Sequence, residues 1–169
     1  LRLVADRIAL WAIDLADAYR MLVVHWSELW MQHFAWSDGA RLDTRCVLGA
    51  AHMVGFFQRV SSFVLKVVAY RLDLYDVSFP FSEARQAWIR DREERVGGRQ
   101  RARDENIYLD DTAGLVPMAA GGQLAPCHRR ESTRAGLESK PQATVRIAAA
   151  TFVQAGWRVS HPKTQLGLE

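Results

Sequence analysis

Apolar positions fall into a few well-separated runs along the chain. Ile8 to Leu15 is mostly apolar and runs into Asp14 and Asp17, which predicts a buried strand with Asp14 at its carboxyl end. Met31 to Trp36 and Arg41 to Leu48 flank Ser37-Asp38-Gly39, and Asp-Gly between two strand-like runs predicts an antiparallel hairpin. From Gly55 onward Phe56, Phe57, Val60, Phe63, Val64, Val67 and Val68 recur at three- and four-residue spacing. That period predicts a helix reaching Leu72, with Phe56, Phe57 and Phe63 in the core. Residues 82–106 turn to Arg, Glu and Asp around Gly97-Gly98, the pattern of a charged helix and a solvated loop whose arginines, Arg85 to Arg103, are matched by nearby acids. Ile107-Tyr108-Leu109, Asp110-Asp111 and Ala113 to Met118 then read as strand, tight turn and strand. Residues 119–141 are rich in Gly, Pro, Ser and Arg and read as a loop or insertion. Val145 to Ala155 is helical, Gly156 stops it, and Trp157 to Ser160 forms a short strand. The class predicted is α+β, an antiparallel sheet packed on helices, with residues 1–169 as one domain.

Composition narrows the field. With 169 residues, 49% of them hydrophobic and 24% charged, the chain suits one folded domain and excludes a disordered tail or a fibre. The most apolar stretch, Val60 to Tyr70, carries Lys66 in its middle, which predicts a soluble or peripheral protein with no membrane span. Cys46 and Cys127 are too few for a disulfide framework and read as reduced thiols of an intracellular protein, nucleus and cytoplasm being equally open. His25, His33, His52, His128 and His161 show no zinc-ligand spacing with a cysteine. The net charge of +3 is small, but Arg greatly outnumbers Lys, and guanidinium suits bidentate phosphate contacts. The chain opens on Leu with no signal-peptide pattern, and is read as a fragment of something longer.

The acids pose the chemical question. An Asp pair between two apolar strands requires a cation or hydrogen-bond donors to offset its burial. If the strand ending at Asp14 lies beside the Asp110-Asp111 hairpin, three carboxylates converge at one sheet edge, a hard oxygen site suited to Mg²⁺. The plain alternative is that Asp110-Asp111 only forms a turn.

Asp14-Leu15-Ala16-Asp17-Ala18-Tyr19 resembles the first catalytic motif of reverse transcriptases, a strand-end Asp followed five residues later by an aromatic residue. Tyr108-Leu109-Asp110-Asp111 resembles their Tyr-x-Asp-Asp box, preceded by the β-branched Ile107. Between them, Trp36, Asp38-Gly39, Leu48-Gly49 and Phe57-Gln58 are similar to the second motif and its helix, and Ala155-Gly156-Trp157 with Pro162-Lys163-Thr164 resembles the next palm motif. The resemblance runs from Trp11 to Leu166, with retrotransposon enzymes of the tyrosine-recombinase and gypsy-like kinds closest in cadence. It departs where Leu-Pro-Phe-Gly stands as Cys46-Val47-Leu48-Gly49, and where the proline expected some five residues later is Val54.

The resemblance implies a polymerase palm with a ferredoxin-like core and part of the fingers, acting on an RNA template, a DNA primer and deoxynucleoside triphosphates. It implies Asp14, Asp110 and Asp111 as catalytic residues holding two Mg²⁺ ions, or Mn²⁺, with Leu15 in the same metal site. Lys163 would serve the leaving pyrophosphate. Ala18, Tyr19, Leu48 and Gly49 would face the nucleotide, Tyr19 selecting deoxyribose. Gln58, Arg59 and Tyr108 would touch template or primer. The rest of the fingers, the thumb and any ribonuclease H domain would belong to the parent polyprotein. The other reading is a catalytically inactive relic that keeps the fold or a nucleic-acid-binding role.

Overall fold

A computed structural model describes residues 8–46, 51–81, 83–98, 100–101, 103–108, 111–117, 125–126 and 137–168. Strand β1 (Ile8–Ala16) is the axis of a five-stranded sheet. Its side chains alternate: Ala9, Trp11, Ile13 and Leu15 are buried, whereas Ile8 and Leu10 are exposed. An odd-even split of this kind sets one face of a strand on the core and leaves the other open. A short 3₁₀ turn, Ala18–Met21, leaves β1, and a second 3₁₀ helix, Trp26–Gln32, leads into the hairpin of β2 (His33–Trp36) and β3 (Gly39–Leu42). The Asp-Gly hairpin therefore forms as read, with Gly39 at φ 135°, but both strands are shorter than their apolar runs. The 3₁₀ helix takes the front of the first, and the second stops at Leu42.

Helix α1 (Ala51–Ser78) extends beyond the predicted span at both ends. Phe57, Val64, Val68 and Leu72 are buried on its inner side, but Phe56 and Phe63 point outward, which corrects their placement in the core. The reason is angular. Successive residues differ by about 100° around a helix, so Phe56 cannot share the direction of Phe57. Helix α2 (Glu83–Val96) is the predicted charged helix, and Gly97 and Gly98, at φ 77° and 70°, end it.

Strands β4 (Asp104–Tyr108) and β5 (Asp111–Pro117) form the acid hairpin, β5 lying antiparallel to β1 from Ile8↔Pro117 to Asp14↔Asp111. Within the stretch read as a loop, β6 (Ala125–Pro126) pairs with β7 (Leu137–Glu138). Helix α3 (Lys140–Gln154) starts earlier than its hydrophobic pattern suggests because Ser139 and Gln142 form a reciprocal capping box, with Pro141 in the first turn. Strand β8 (Arg158–Val159) pairs with Leu15 and Ala16, and an unpredicted β9 (Gln165–Leu168) pairs with Ala9 to Ala12. The chain is thus α+β, its sheet antiparallel, with α1 and α3 on one face over a core that includes Phe57, Phe152 and Trp157.

One tie between elements is ionic. Arg103 donates to both oxygens of Asp76, at 2.7 and 2.5 Å, and Lys140 reaches the same carboxylate at 3.0 Å. Arg103 also meets Thr144, and Lys140 meets the Phe79 carbonyl. The Lys140 ammonium lies 4.1 Å from the centre of the Phe81 ring. Burial pushes the Lys140 amine below its ordinary pKa, with Asp76 opposing that shift. Arg103, whose side chain is 1% exposed, is therefore not part of a solvated arginine run.

Candidate active site

The site begins with the β1 register. Ile13 and Leu15 are buried, so Asp14 between them lies on the open face, in line with Leu10 and Ala12. Asp111, the first residue of β5, is its direct partner. Side chains opposed across an antiparallel ladder share a face with Cβ atoms about 4.5–5.5 Å apart, and like charges so placed repel. The sheet thus sets two carboxylates side by side. Toward the other end of the same face lies an open, mostly apolar hollow of about 490 Å³ lined by Leu10, Ala12, Ala113, Leu115 and Gln165.

A cation reaches the pair from the far end of the chain. Strands β8 and β9 pair with β1 on either side of Ile13 and Asp14. The gap is bridged by the 3₁₀ turn His161–Lys163. Ser160 fixes that turn: its N–H donates to the Asp14 carbonyl at 2.9 Å, and its own carbonyl accepts from the N–H groups of Lys163 and Thr164 at 3.1 and 3.0 Å. Lys163 Nζ then lies 3.3 Å from Asp14 Oδ1. Nothing in the local sequence joins these residues, which are 149 positions apart.

Beyond β1 the backbone turns sharply. Asp17 takes a left-handed conformation, φ 54° and ψ 35°, which a short polar side chain tolerates, and it pairs with Arg158. Arg20 donates to both oxygens of Asp43, at 2.8 and 3.4 Å, and the Arg45 N–H donates to the same carboxylate at 3.0 Å. The Arg45 amide, followed by the Arg20 guanidinium, holds the Asp43 carboxyl below its ordinary pKa.

The remaining expected residues divide. Leu15 and Ala18 are buried, so only their backbone could serve a ligand. Tyr19 is 8% exposed and stacks on Phe57 with ring centres 4.6 Å apart, so core packing already engages the ring expected to face a sugar. Gln58 donates to the Ile107 carbonyl at 2.9 Å and so ties α1 to β4 rather than reaching outward. Arg59 is exposed. Tyr108 pairs through its backbone with Asp111. Leu48, Gly49 and Asp110 lie outside the described residues. Cys46 is buried beside Met53, and burial pushes its thiol above the ordinary pKa, which suits packing rather than nucleophilic chemistry.

Among the described residues no group of three or more His, Cys, Asp or Glu side chains is arranged to hold a metal. Asp14 and Asp111 are nevertheless an all-oxygen pair whose mutual repulsion a hard divalent cation would relieve, so the donor chemistry fits Mg²⁺. Comparison with protein-family models finds no match, and neither does comparison with curated proteins.

Proposed function

We propose that this chain is the palm of a retroelement RNA-directed DNA polymerase, carrying out two-metal transfer of deoxynucleotides to a primer 3′ hydroxyl. The observation that carries the reading is that Asp14 sits opposite Asp111 across the β1–β5 ladder, with Lys163 Nζ 3.3 Å from Asp14 Oδ1. These residues come from three separate motif-bearing segments, and the reading needs all three in one place. Asp14 and Asp110 would be the main ligands, with Asp111 beside them and the Leu15 backbone adjoining. Two Mg²⁺ ions held there would supply the charge stabilisation of phosphoryl transfer. The protein's part is positioning. The hollow along β1 and β5 offers the primer end an apolar bed leading toward the carboxylates, and Asp14 is fixed by the strand ladder and by Ser160.

Lys163 would leave Asp14 when a cation binds and hold a proton at Nζ for the departing pyrophosphate. The Lys163→Met variant should slow incorporation about a hundredfold. Its folding stability should stay within about 1 kcal/mol of the parent, because the lysine is largely solvent-exposed. Single-turnover kinetics and a denaturant titration separate the two effects. An unchanged rate would remove Lys163 from the chemistry.

The function itself is tested by cation removal. Template-directed incorporation should stop on chelation and return with Mg²⁺ or Mn²⁺, and incorporation that persists in chelator would contradict the reading. If the folded chain, with any flanking segments of its gene, incorporates nothing under any cation, the inactive-relic reading replaces it.

A further inference from the structure

Helix α1 carries a second apolar face. Phe56, Phe63, Tyr70 and Val77 stand at every seventh position and are between 54% and 78% exposed. Val60, Val67 and Leu74 fall between them, the first two half-buried and the last exposed. Apolar residues thus alternate at steps of four and three from Phe56 to Val77, the period that lets one helix wrap along another. The inner face is separate and already engaged, through Phe57, Val64, Val68 and Leu72. A surface helix needs one apolar stripe, and this one has two.

We propose that the outer stripe is an interface with a second copy of this chain, α1 lying antiparallel against the partner's α1 about a two-fold axis. Antiparallel pairing matches large with small. Phe63 would face the partner's Val67, Phe56 the partner's Leu74 and Tyr70 the partner's Val60, so the rings interdigitate with smaller side chains. A parallel pair would instead stack Phe63 on the partner's Phe63. The seam is about 30 Å long. Its exposed side chains, each offering on the order of 100 Å², bury about 1,000 Å² over the two copies, the lower limit for a specific interface. The association is therefore weak and concentration-dependent, and two-fold closure stops it at a dimer.

A lipid bilayer is the competing occupant, because Met53–Ser78 is long and apolar enough to cross one, the mean hydropathy of its most apolar 18-residue window being 1.2. Charge and packing favour the dimer. Arg59 and Lys66 are exposed on the same helix, and a lysine at mid-bilayer costs about 3 kcal/mol or more. In a helix pair both would stay at the wet rim. The inner face is also tied down, by Gln58 to Ile107, by Arg71 to Thr151 and by Asp73 to Arg101. The dimer does not depend on the polymerase reading.

Sedimentation velocity over a hundredfold range of concentration tests it. The parent chain should pass from monomer to dimer, whereas Phe63→Glu, at a position 67% exposed, should keep its circular-dichroism melt and remain monomeric. Mixing copies bearing Phe63→Glu with copies bearing Val67→Lys should restore a dimer, since antiparallel pairing sets the new acid against the new base. A parent that stays monomeric throughout, or a Phe63→Glu variant that keeps its fold and still dimerises, would overturn the proposal. So would co-sedimentation of a monomeric parent with phosphatidylcholine vesicles. A parent dimer without restoration in the mixture would overturn the antiparallel arrangement.

Discussion

Replacing Asp14 by asparagine is expected to abolish nucleotide incorporation, by at least about a thousandfold, while the chain stays folded. Asparagine keeps the shape and one oxygen but removes the charge that would hold a divalent cation beside Asp111. The expected stability change separates this from mere damage. The Asp14–Asp111 juxtaposition is a like-charge pair across a ladder, so losing one carboxylate relieves repulsion worth a few tenths of a kcal/mol. The opposing loss is the solvent-exposed bridge to Lys163, which is of similar size. A melting temperature within a few degrees of the parent, together with lost incorporation, is the expected pair of results. A variant that unfolds would make Asp14 a structural residue, and one that retains activity would exclude it from the chemistry. Asp111→Asn sharpens the comparison, because it removes the repulsion without touching Lys163 and should raise the melting temperature.

Truncating Asp76 to alanine should cost about 3–5 kcal/mol, the expected effect of leaving buried cations without their carboxylate. Arg103 and Lys140 converge on Asp76 from the start of β4 and the start of α3, and Asp76 itself lies near the end of α1. Three elements therefore depend on one side chain. Two positive charges facing each other near Tyr75 and Phe81 would force water into the cluster or drive Lys140, already below its ordinary pKa through burial, to give up its proton. Urea titration gives the stability, and an Asp76→Ala variant within 1 kcal/mol of the parent would show that the cluster is solvated and weak. The cluster lies away from the carboxylates of the open face, so rates corrected for the folded fraction should be unchanged.

The parts of this fold that were legible in the sequence are those with local signals. The apolar run ending at Asp14, the hairpin around Asp38-Gly39, the long helix and the strands flanking Asp110-Asp111 all have period or turn chemistry to announce them. The adjacency of Asp14 and Asp111 is only implied by those signals, because the β1–β5 register depends on which face of each strand the core claims. Strand β9 has little to announce it, because Gln165–Leu168 alternates over only four residues and includes a glycine. The charged neighbours of Arg103 predict a solvated side chain, whereas its burial depends on Asp76, Lys140 and Thr144, which meet it only in the folded chain. The direction of Gln58 is hidden for a related reason: spacing places it on α1, and only the fold aims it at the Ile107 carbonyl. Tyr19 shows the limit of motif reading, since an aromatic residue at that spacing serves equally well as a core ring.

Primer extension on a primed RNA template, run with the chain and any flanking segments of its gene in Mg²⁺, bears most directly on the proposed chemistry. The expected result is incorporation of deoxynucleotides in template order that disappears in an Asp110→Asn control. Extension that persists unchanged in that control, or none from a folded protein with either Mg²⁺ or Mn²⁺, would contradict it.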